Sequence, residues 1–111
     1  MPNIFEVKKK VRKFNKKINV SADKSLSIRW VLFASLANGK SKSYNLLKSE
    51  DVLASINIIR KLGIKVIFKK NYCTIFGKGI DGYKIKKNLI LDAKNSGTLG
   101  RLILGSLVNY K

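Results

Sequence analysis

Residues 49–76 read SEDVLASINIIRKLGIKVIFKKNYCTIF and contain the clearest structural pattern in the chain. Ser49 can cap a helix whose first turn carries two carboxylates, where they favour the positive end of the helix dipole. Apolar residues then recur at helical spacing as far as Gly63, which ends the helix. The runs 64–68 and 72–76 follow, and the polar turn between them predicts a β-hairpin. A helix followed by two strands predicts a mixed α/β fold.

Similar patterns lie on both sides of this stretch. Residues 18–20 predict a short strand, and the apolar run 26–37 predicts a helix that is apolar on nearly every face and therefore buried between layers. Residues 41–46 predict a strand, and residues 89–91 predict another strand before a third helix. The order is strand, helix, strand, helix, strand, strand, then strand and helix again. This order predicts a repeated unit that is cut off inside its second copy at Lys111.

Length and composition predict one modest domain. The chain has 111 residues, and 45% of them are apolar, which is ordinary for a globular protein. No run approaches the ~18 apolar residues of a membrane-spanning helix, and the first residues lack the pattern of a secretory signal. We therefore expect a cytoplasmic protein without a membrane partner.

Several chemistries are disfavoured by residue content. The chain has no histidine, which excludes a histidine base, triad or metal ligand within it, and its six acidic residues are too scattered to suggest a metal site. We expect neither a metal nor a cofactor. The single cysteine, Cys73, lies in an apolar run and is predicted to be a packed side chain rather than a reactive thiol.

The net charge of +18 admits two interpretations. A strongly basic chain is typical of nucleic-acid binders, so a basic nucleic-acid-binding module is one alternative. Lysine nevertheless supplies nearly all of the charge and is spread along the chain. The densest cluster, in residues 8–17, alternates partly with apolar residues, as a solvated edge strand does. We favour the solvated interpretation, with no nucleic-acid partner.

Two helix starts have the composition of anion sites. At the first, Ser25 and Arg29 are four residues apart and share a face, with Lys24 beside them. At the second, Gly97 leaves room for a ligand to approach the backbone, and Asn95, Ser96 and Thr98 offer polar groups. Free N–H groups and the helix dipole attract phosphate or carboxylate at such positions. The alternative at both sites is ordinary helix capping, with Arg29 in a salt bridge.

Three segments, in order and at fitting separations, resemble 5-enolpyruvylshikimate-3-phosphate (EPSP) synthase. They are residues 18–29 (INVSADKSLSIR), residues 45–52 (NLLKSEDV) with Leu62-Gly63-Ile64, and residues 95–98 (NSGT) with Arg101. The resemblance covers nearly the whole chain. It implies the enolpyruvyl transferase fold, an inverse α/β barrel-type arrangement of strand-helix-strand-helix-strand-strand units, incomplete here. Residues 1–16 are then an N-terminal strand segment that pairs with the other half of the fold, and residues 17–111 hold the first unit and the start of the second.

The resemblance also implies a reaction and a set of binding residues. Family members transfer the enolpyruvyl group of phosphoenolpyruvate to the 5-hydroxyl of shikimate 3-phosphate and release phosphate, on the route to chorismate and the aromatic amino acids. Shikimate 3-phosphate is expected to bind Lys24, Ser25 and Arg29. Phosphoenolpyruvate is expected to contact Lys24, Asn95, Gly97, Thr98 and Arg101. No catalytic residue is assigned within this segment, so the segment alone is expected to be inactive, and the full-length protein to be a monomer.

Three positions depart from the family pattern. Ser21-Ala22-Asp23 replaces a commoner proline-containing turn, Lys94 stands where glycine is usual, and Gly100 where a larger apolar residue is usual. Lys94 is expected to add a cation near the phosphoenolpyruvate site. The sister enzyme that uses UDP-N-acetylglucosamine is the closest alternative, but it typically has Lys-Asn at the first helix start and lacks the arginine that matches Arg29.

Overall fold

A computed structural model describes residues 3–110 of the chain. It contains three helices and three strands. In chain order they are α1 (Lys24–Leu36), β1 (Asn38–Ser43), α2 (Glu50–Lys61), β2 (Lys65–Phe68), β3 (Cys73–Lys78) and α3 (Gly97–Leu107). Within residues 3–110, no helix has both the length and the apolar character needed to cross a membrane.

A side-chain cap begins each helix. Asp23 accepts a hydrogen bond from the backbone N–H of Leu26 at 2.7 Å, which satisfies a donor that has no partner inside α1. Ser49 does the same for α2, as its sequence predicts, and Ser96 does so for α3. Gly63, just beyond α2, has φ of 84°, a conformation that glycine adopts without steric cost. The three predicted helices are confirmed.

The three strands form an antiparallel sheet in the order β1-β3-β2. The predicted hairpin is confirmed, with Phe68 opposite Cys73. Strand β1 begins at Asn38, three residues before its predicted start at residue 41, and ends at Ser43. Gly77 of β3 faces the end of α1, where an added Cβ would collide with the carbonyls of Ala34 and Ala37. This glycine therefore lets the sheet pack closely on the helix.

The core lies between one face of the sheet and the helices. Its fully buried side chains come from α1, α2, β3 and α3, and they include Ile28, Ile59, Ile75 and Leu99. Cys73 is also fully buried there, which confirms the prediction of a packed side chain. Burial raises the pKa of its thiol to about 11, although the positive charge of Arg60 opposes part of that rise.

Two of the expected strands, at residues 18–20 and 89–91, are wrong for the described residues. The structure assigns no strand to residues 3–23, which include 8–17 and 18–20, or to residues 79–96, which include 89–91. A strand is held by ladder hydrogen bonds to a neighbour, and none of the described residues pairs with these segments. The pairing of residues 1–16 with another part of the fold stays a prediction.

Helix α1 is less enclosed than its sequence predicts. The apolar residues Leu26 and Phe33 are 67% and 68% exposed, so the expectation of burial on nearly every face is wrong for the described residues. Their side chains project from the helix face that the sheet, α2 and α3 do not cover. The opposite face is buried through Ile28, Val31 and Leu32.

Candidate functional site

The first predicted anion-binding segment forms the first turn and a half of α1. Lys24 opens the helix, Ser25 follows it, and Arg29 lies one turn further on. The two cations are exposed and Ser25 is half-buried. In this first turn, the N–H of Leu26 donates to the side chain of Asp23 and that of Ser27 to its carbonyl, whereas those of Lys24 and Ser25 have no acceptor within the helix. Charged side chains and free N–H groups thus face the same region of solvent.

An ion pair joins the starts of α1 and α2. The ammonium of Lys24 lies 3.1 Å from Oδ2 of Asp51, which is in the first turn of α2. The two helices therefore begin at the same end of the molecule. Because the Lys24 side chain is more than half exposed, the pair contributes only about 0–1 kcal/mol to stability. Because breaking this pair costs so little, the ammonium of Lys24 can leave Asp51 and contact an anion instead.

Ser27 anchors this helix start and was not among the predicted site residues. Its hydroxyl donates to the carbonyl of Asp23 at 2.6 Å and accepts from the N–H of Leu47 at 3.0 Å. It thereby ties the first turn of α1 to the loop that leads into α2. The sequence signal for this role is a serine placed one turn after the capping residue Asp23.

The second predicted segment forms the start of α3. Ser96 caps the helix by accepting from the N–H of Leu99 at 3.1 Å, and Gly97 is the first helical residue. Asn95 and Gly97 are exposed, and Thr98 is half-buried. Polar groups and an open glycine therefore surround a helix start that keeps free N–H groups.

Arg101 folds back over this helix start. A Cβ added to Gly97 would lie 3.7 Å from Nη2 of Arg101 and 3.8 Å from its Nη1 and Cζ. The guanidinium thus covers the space left by the missing side chain. An anion bound at this helix start would meet both the backbone N–H groups and a planar fork of donors.

Lys94 adds less free charge than its sequence position suggests. Its ammonium lies 3.1 Å from Oδ2 of Asp92, and its N–H donates to Oδ1 of the same carboxylate at 2.8 Å. These contacts hold the pKa of Asp92 below its usual value. Lys94 also has φ of 52°, a region that L-residues other than asparagine and aspartate rarely adopt. In this structure its charge is paired two residues before the cap.

The carboxyl ends of α1 and α3 are linked through Tyr83. Helices α1 and α3 are in contact, and Tyr110, just beyond α3, stacks on Tyr83 at 5.8 Å between ring centroids. The hydroxyl of Tyr83 lies 2.6 Å from Oγ of Ser35, in the last turn of α1. The carboxyl ends of the two helices therefore lie together. At their amino ends, Lys24 of α1 contacts Asp51 in the first turn of α2, whereas Gly97 and Arg101 of α3 line a cavity with Ile58 in the second half of α2.

Comparison with known proteins identifies the family. Residues 8–111 match the family model described as EPSP synthase (3-phosphoshikimate 1-carboxyvinyltransferase). The chain belongs to the EPSP synthase family. The resemblance expected from the ordered motifs is thereby confirmed.

Curated relatives at 40–45% identity agree with this assignment. The chain is 42% identical over 102 residues to the 3-phosphoshikimate 1-carboxyvinyltransferase of Sulfurihydrogenibium sp. (strain YO3AOP1), covering 92% of this chain and 23% of the relative. It is 45% identical over 95 residues to the enzyme of that name from Bacillus cytotoxicus, covering 86% of this chain and 22% of the relative. The chain therefore spans less than a quarter of the length of these relatives.

A solved structure shows the same fold in a family member. EPSP synthase from Acinetobacter baumannii superimposes with a TM-score of 0.74 and 35% sequence identity, over 83% of this chain and 21% of that one. The mixed α/β architecture is thus that of an incomplete enolpyruvyl transferase domain, as predicted. The boundary at residues 16 and 17 stays a prediction.

Proposed function

We propose that the protein transfers the enolpyruvyl group of phosphoenolpyruvate to the 5-hydroxyl of shikimate 3-phosphate and releases phosphate. Membership of the EPSP synthase family carries the proposal. Two helix starts that carry cations, on helices that contact each other, support it, because the reaction must hold two anionic substrates side by side. The names of the curated relatives favour 3-phosphoshikimate as acceptor over the UDP-sugar used by the sister enzyme.

We assign shikimate 3-phosphate to the start of α1. Arg29 offers a planar fork that matches phosphate oxygens, while Ser25 adds a hydroxyl one turn before it. Lys24 contributes a compact charge that its exposed pairing with Asp51 leaves mobile. These three groups bind the substrate and orient its 5-hydroxyl.

We assign phosphoenolpyruvate to the start of α3. Gly97 lets the ligand approach the backbone, and Asn95 and Thr98 flank it with hydrogen-bonding groups. Arg101 supplies positive charge over the same point. Lys24, at the start of the neighbouring helix, reaches toward both substrates in this arrangement.

The reaction requires positive charge near both anionic substrates. The 5-hydroxyl of shikimate 3-phosphate gives up its proton and adds to C2 of phosphoenolpyruvate as the methylene carbon is protonated to a methyl group. That methyl group then loses a proton as phosphate leaves the tetrahedral intermediate, which restores the carbon–carbon double bond. Fixed cations stabilise the phosphate as it leaves and offset the repulsion between the two substrates. We assign no proton-transfer group within this chain, and we propose that the full-length protein is cytoplasmic and monomeric and needs no cofactor.

Removal of either α1 cation tests the assignment. In the full-length enzyme, Lys24→Ala or Arg29→Ala is expected to weaken shikimate 3-phosphate binding by about 1–3 kcal/mol, the scale of a charged hydrogen bond. Isothermal titration calorimetry measures the change. Lys69→Ala is the matched control, because it removes an equal charge from the exposed hairpin turn and should leave the affinity unchanged. Unchanged affinity in both α1 variants would remove these residues from the site.

A further inference from the structure

The outer face of the sheet carries alternating lysines and aromatic rings. In β3, Cys73 and Ile75 point into the core, so Phe76 points to the other side of the sheet. Its register partners on the two neighbouring strands are Lys40 and Lys65. Ile67 and the buried Thr74 lie on the same side. We call six of the outward residues the lysine–aromatic face: Lys40, Lys42, Tyr44, Lys65, Tyr72 and Phe76.

Ammonium groups and rings are in contact on this face. The ammonium of Lys42 lies 4.4 Å from the ring centroid of Tyr72 and 4.9 Å from that of Tyr44. The ammonium of Lys65 lies 5.2 Å from the centroid of Phe76. These distances are within the range of cation–π attraction. The contacts hold charge and planar apolar surface at the same points, and Tyr44 remains 71% exposed.

The face has no compensating negative charge in its own strands. None of the residues in β1, β2 or β3 is acidic. Outside the strands, Asp81 follows β3 by three residues, and Asp51 and Asp92 are paired with Lys24 and Lys94. The potential at the outer face is therefore positive, and the complementary partner is a polyanion.

We propose, in place of the sequence-based expectation of no nucleic-acid partner, that the lysine–aromatic face binds single-stranded nucleic acid. Unpaired bases stack on exposed rings, while the flanking ammonium groups contact the phosphates, a combination typical of sequence-tolerant single-strand binding. A duplex would offer phosphates but would hide the faces of its bases. An anionic membrane would likewise satisfy the lysines and leave the rings without a planar partner. The exposed ring of Tyr44 beside these lysines favours the single strand, whereas Tyr72 and Phe76 are half-buried and support the face as partners of Lys42 and Lys65.

This activity is separate from the proposed enzymatic site. The face lies on the side of the sheet that is turned away from α1, because the inner face packs on α1 through Gly77. Variants of the face should therefore leave shikimate 3-phosphate binding intact, and the proposal stands independently of the enzymatic function.

Fluorescence anisotropy with a labelled oligo-dT 20-mer tests the proposal on the whole protein. Three phosphate contacts predict a slope of about −2 for log affinity against log salt, which is a loss of about 20-fold between 50 and 200 mM. The triple variant Lys40→Gln, Lys42→Gln, Lys65→Gln should flatten that slope to near zero. Tyr44→Leu, which keeps apolar area but removes the ring, should weaken binding by about tenfold, the scale of one stacked base.

The matched control places the same charge change elsewhere. Lys8→Gln, Lys9→Gln and Lys10→Gln remove three charges from an exposed segment and should change affinity less than threefold. Equal losses in the two triple variants, or no loss in Tyr44→Leu, would overturn the proposal. It would equally fall if the protein bound vesicles containing anionic lipid, or duplex DNA, as tightly as the single strand.

Discussion

Replacing Ser27 with alanine should destabilise the protein because the backbone N–H of Leu47 would lose its hydrogen-bond acceptor. Ser27 is 5% exposed, and its hydroxyl is the recorded acceptor for the N–H of Leu47. Alanine leaves that donor without a partner, which costs about 1–3 kcal/mol. The carbonyl of Asp23 also loses the serine hydroxyl, but it keeps the backbone N–H of Ser27 at 3.0 Å. We therefore expect a loss of about 2 kcal/mol in the free energy of unfolding.

Urea unfolding followed by tryptophan fluorescence measures this loss. Trp30, the single tryptophan, directly follows Arg29 in α1 and is half-buried, so its emission reports the unfolding of this helix. With a urea m-value of about 1–3 kcal/mol/M, the midpoint should fall by about 1 M.

Ser25 provides a control with the same chemical change two residues away. Within the described residues, no hydrogen bond is recorded for its hydroxyl, so Ser25→Ala should change stability by less than about 0.5 kcal/mol. The same variant should weaken shikimate 3-phosphate binding if the site assignment holds. An equal loss of stability in the two variants, or a loss below about 0.5 kcal/mol in Ser27→Ala, would refute the reasoning.

Two further predictions concern the core and the activity of the chain. Burial raises the pKa of Cys73 from 9.0 to about 11, so the unfolded chain loses the thiol proton at a lower pH than the folded chain does. The thiol therefore contributes fully to stability below about pH 9. That contribution should disappear as the pH rises toward 11. Urea unfolding of the protein and of Cys73→Ala should show a stability difference that shrinks over that interval, and a constant difference would contradict the shift. The purified 111-residue chain should show no turnover of phosphoenolpyruvate with shikimate 3-phosphate in a phosphate-release assay. It spans less than a quarter of the length of its relatives, and we assign it no proton-transfer group. Measurable turnover would overturn this prediction.

Local sequence patterns predicted the helices and the hairpin because local interactions determine them. The capping of α2 by Ser49 and its termination before Gly63 depend on residues within one turn. The hairpin between β2 and β3 likewise depends on a short polar turn. The predicted end of α2 and the predicted starts of β2 and β3 each lie within about one residue of the observed boundary.

Strand assignments failed where they depended on a distant neighbour. Residues 18–20 and 89–91 have the composition of strands, yet nothing in the described chain pairs with them. A strand gains its stability from a partner whose identity local composition does not specify. The same limitation applies to Leu26 and Phe33, whose apolar character predicted burial although no described element covers them.

For the candidate site, the sequence by itself determined which residues begin α1 and α3 and that both starts suit anions. Capping and helix dipoles act within a single turn, so these features are readable from consecutive residues. Only the tertiary structure decided that Asp51 pairs with Lys24 and that Ser27 anchors the first turn of α1. Those contacts join residues 20 or more positions apart, and packing of the chain, rather than any local preference, brings them together.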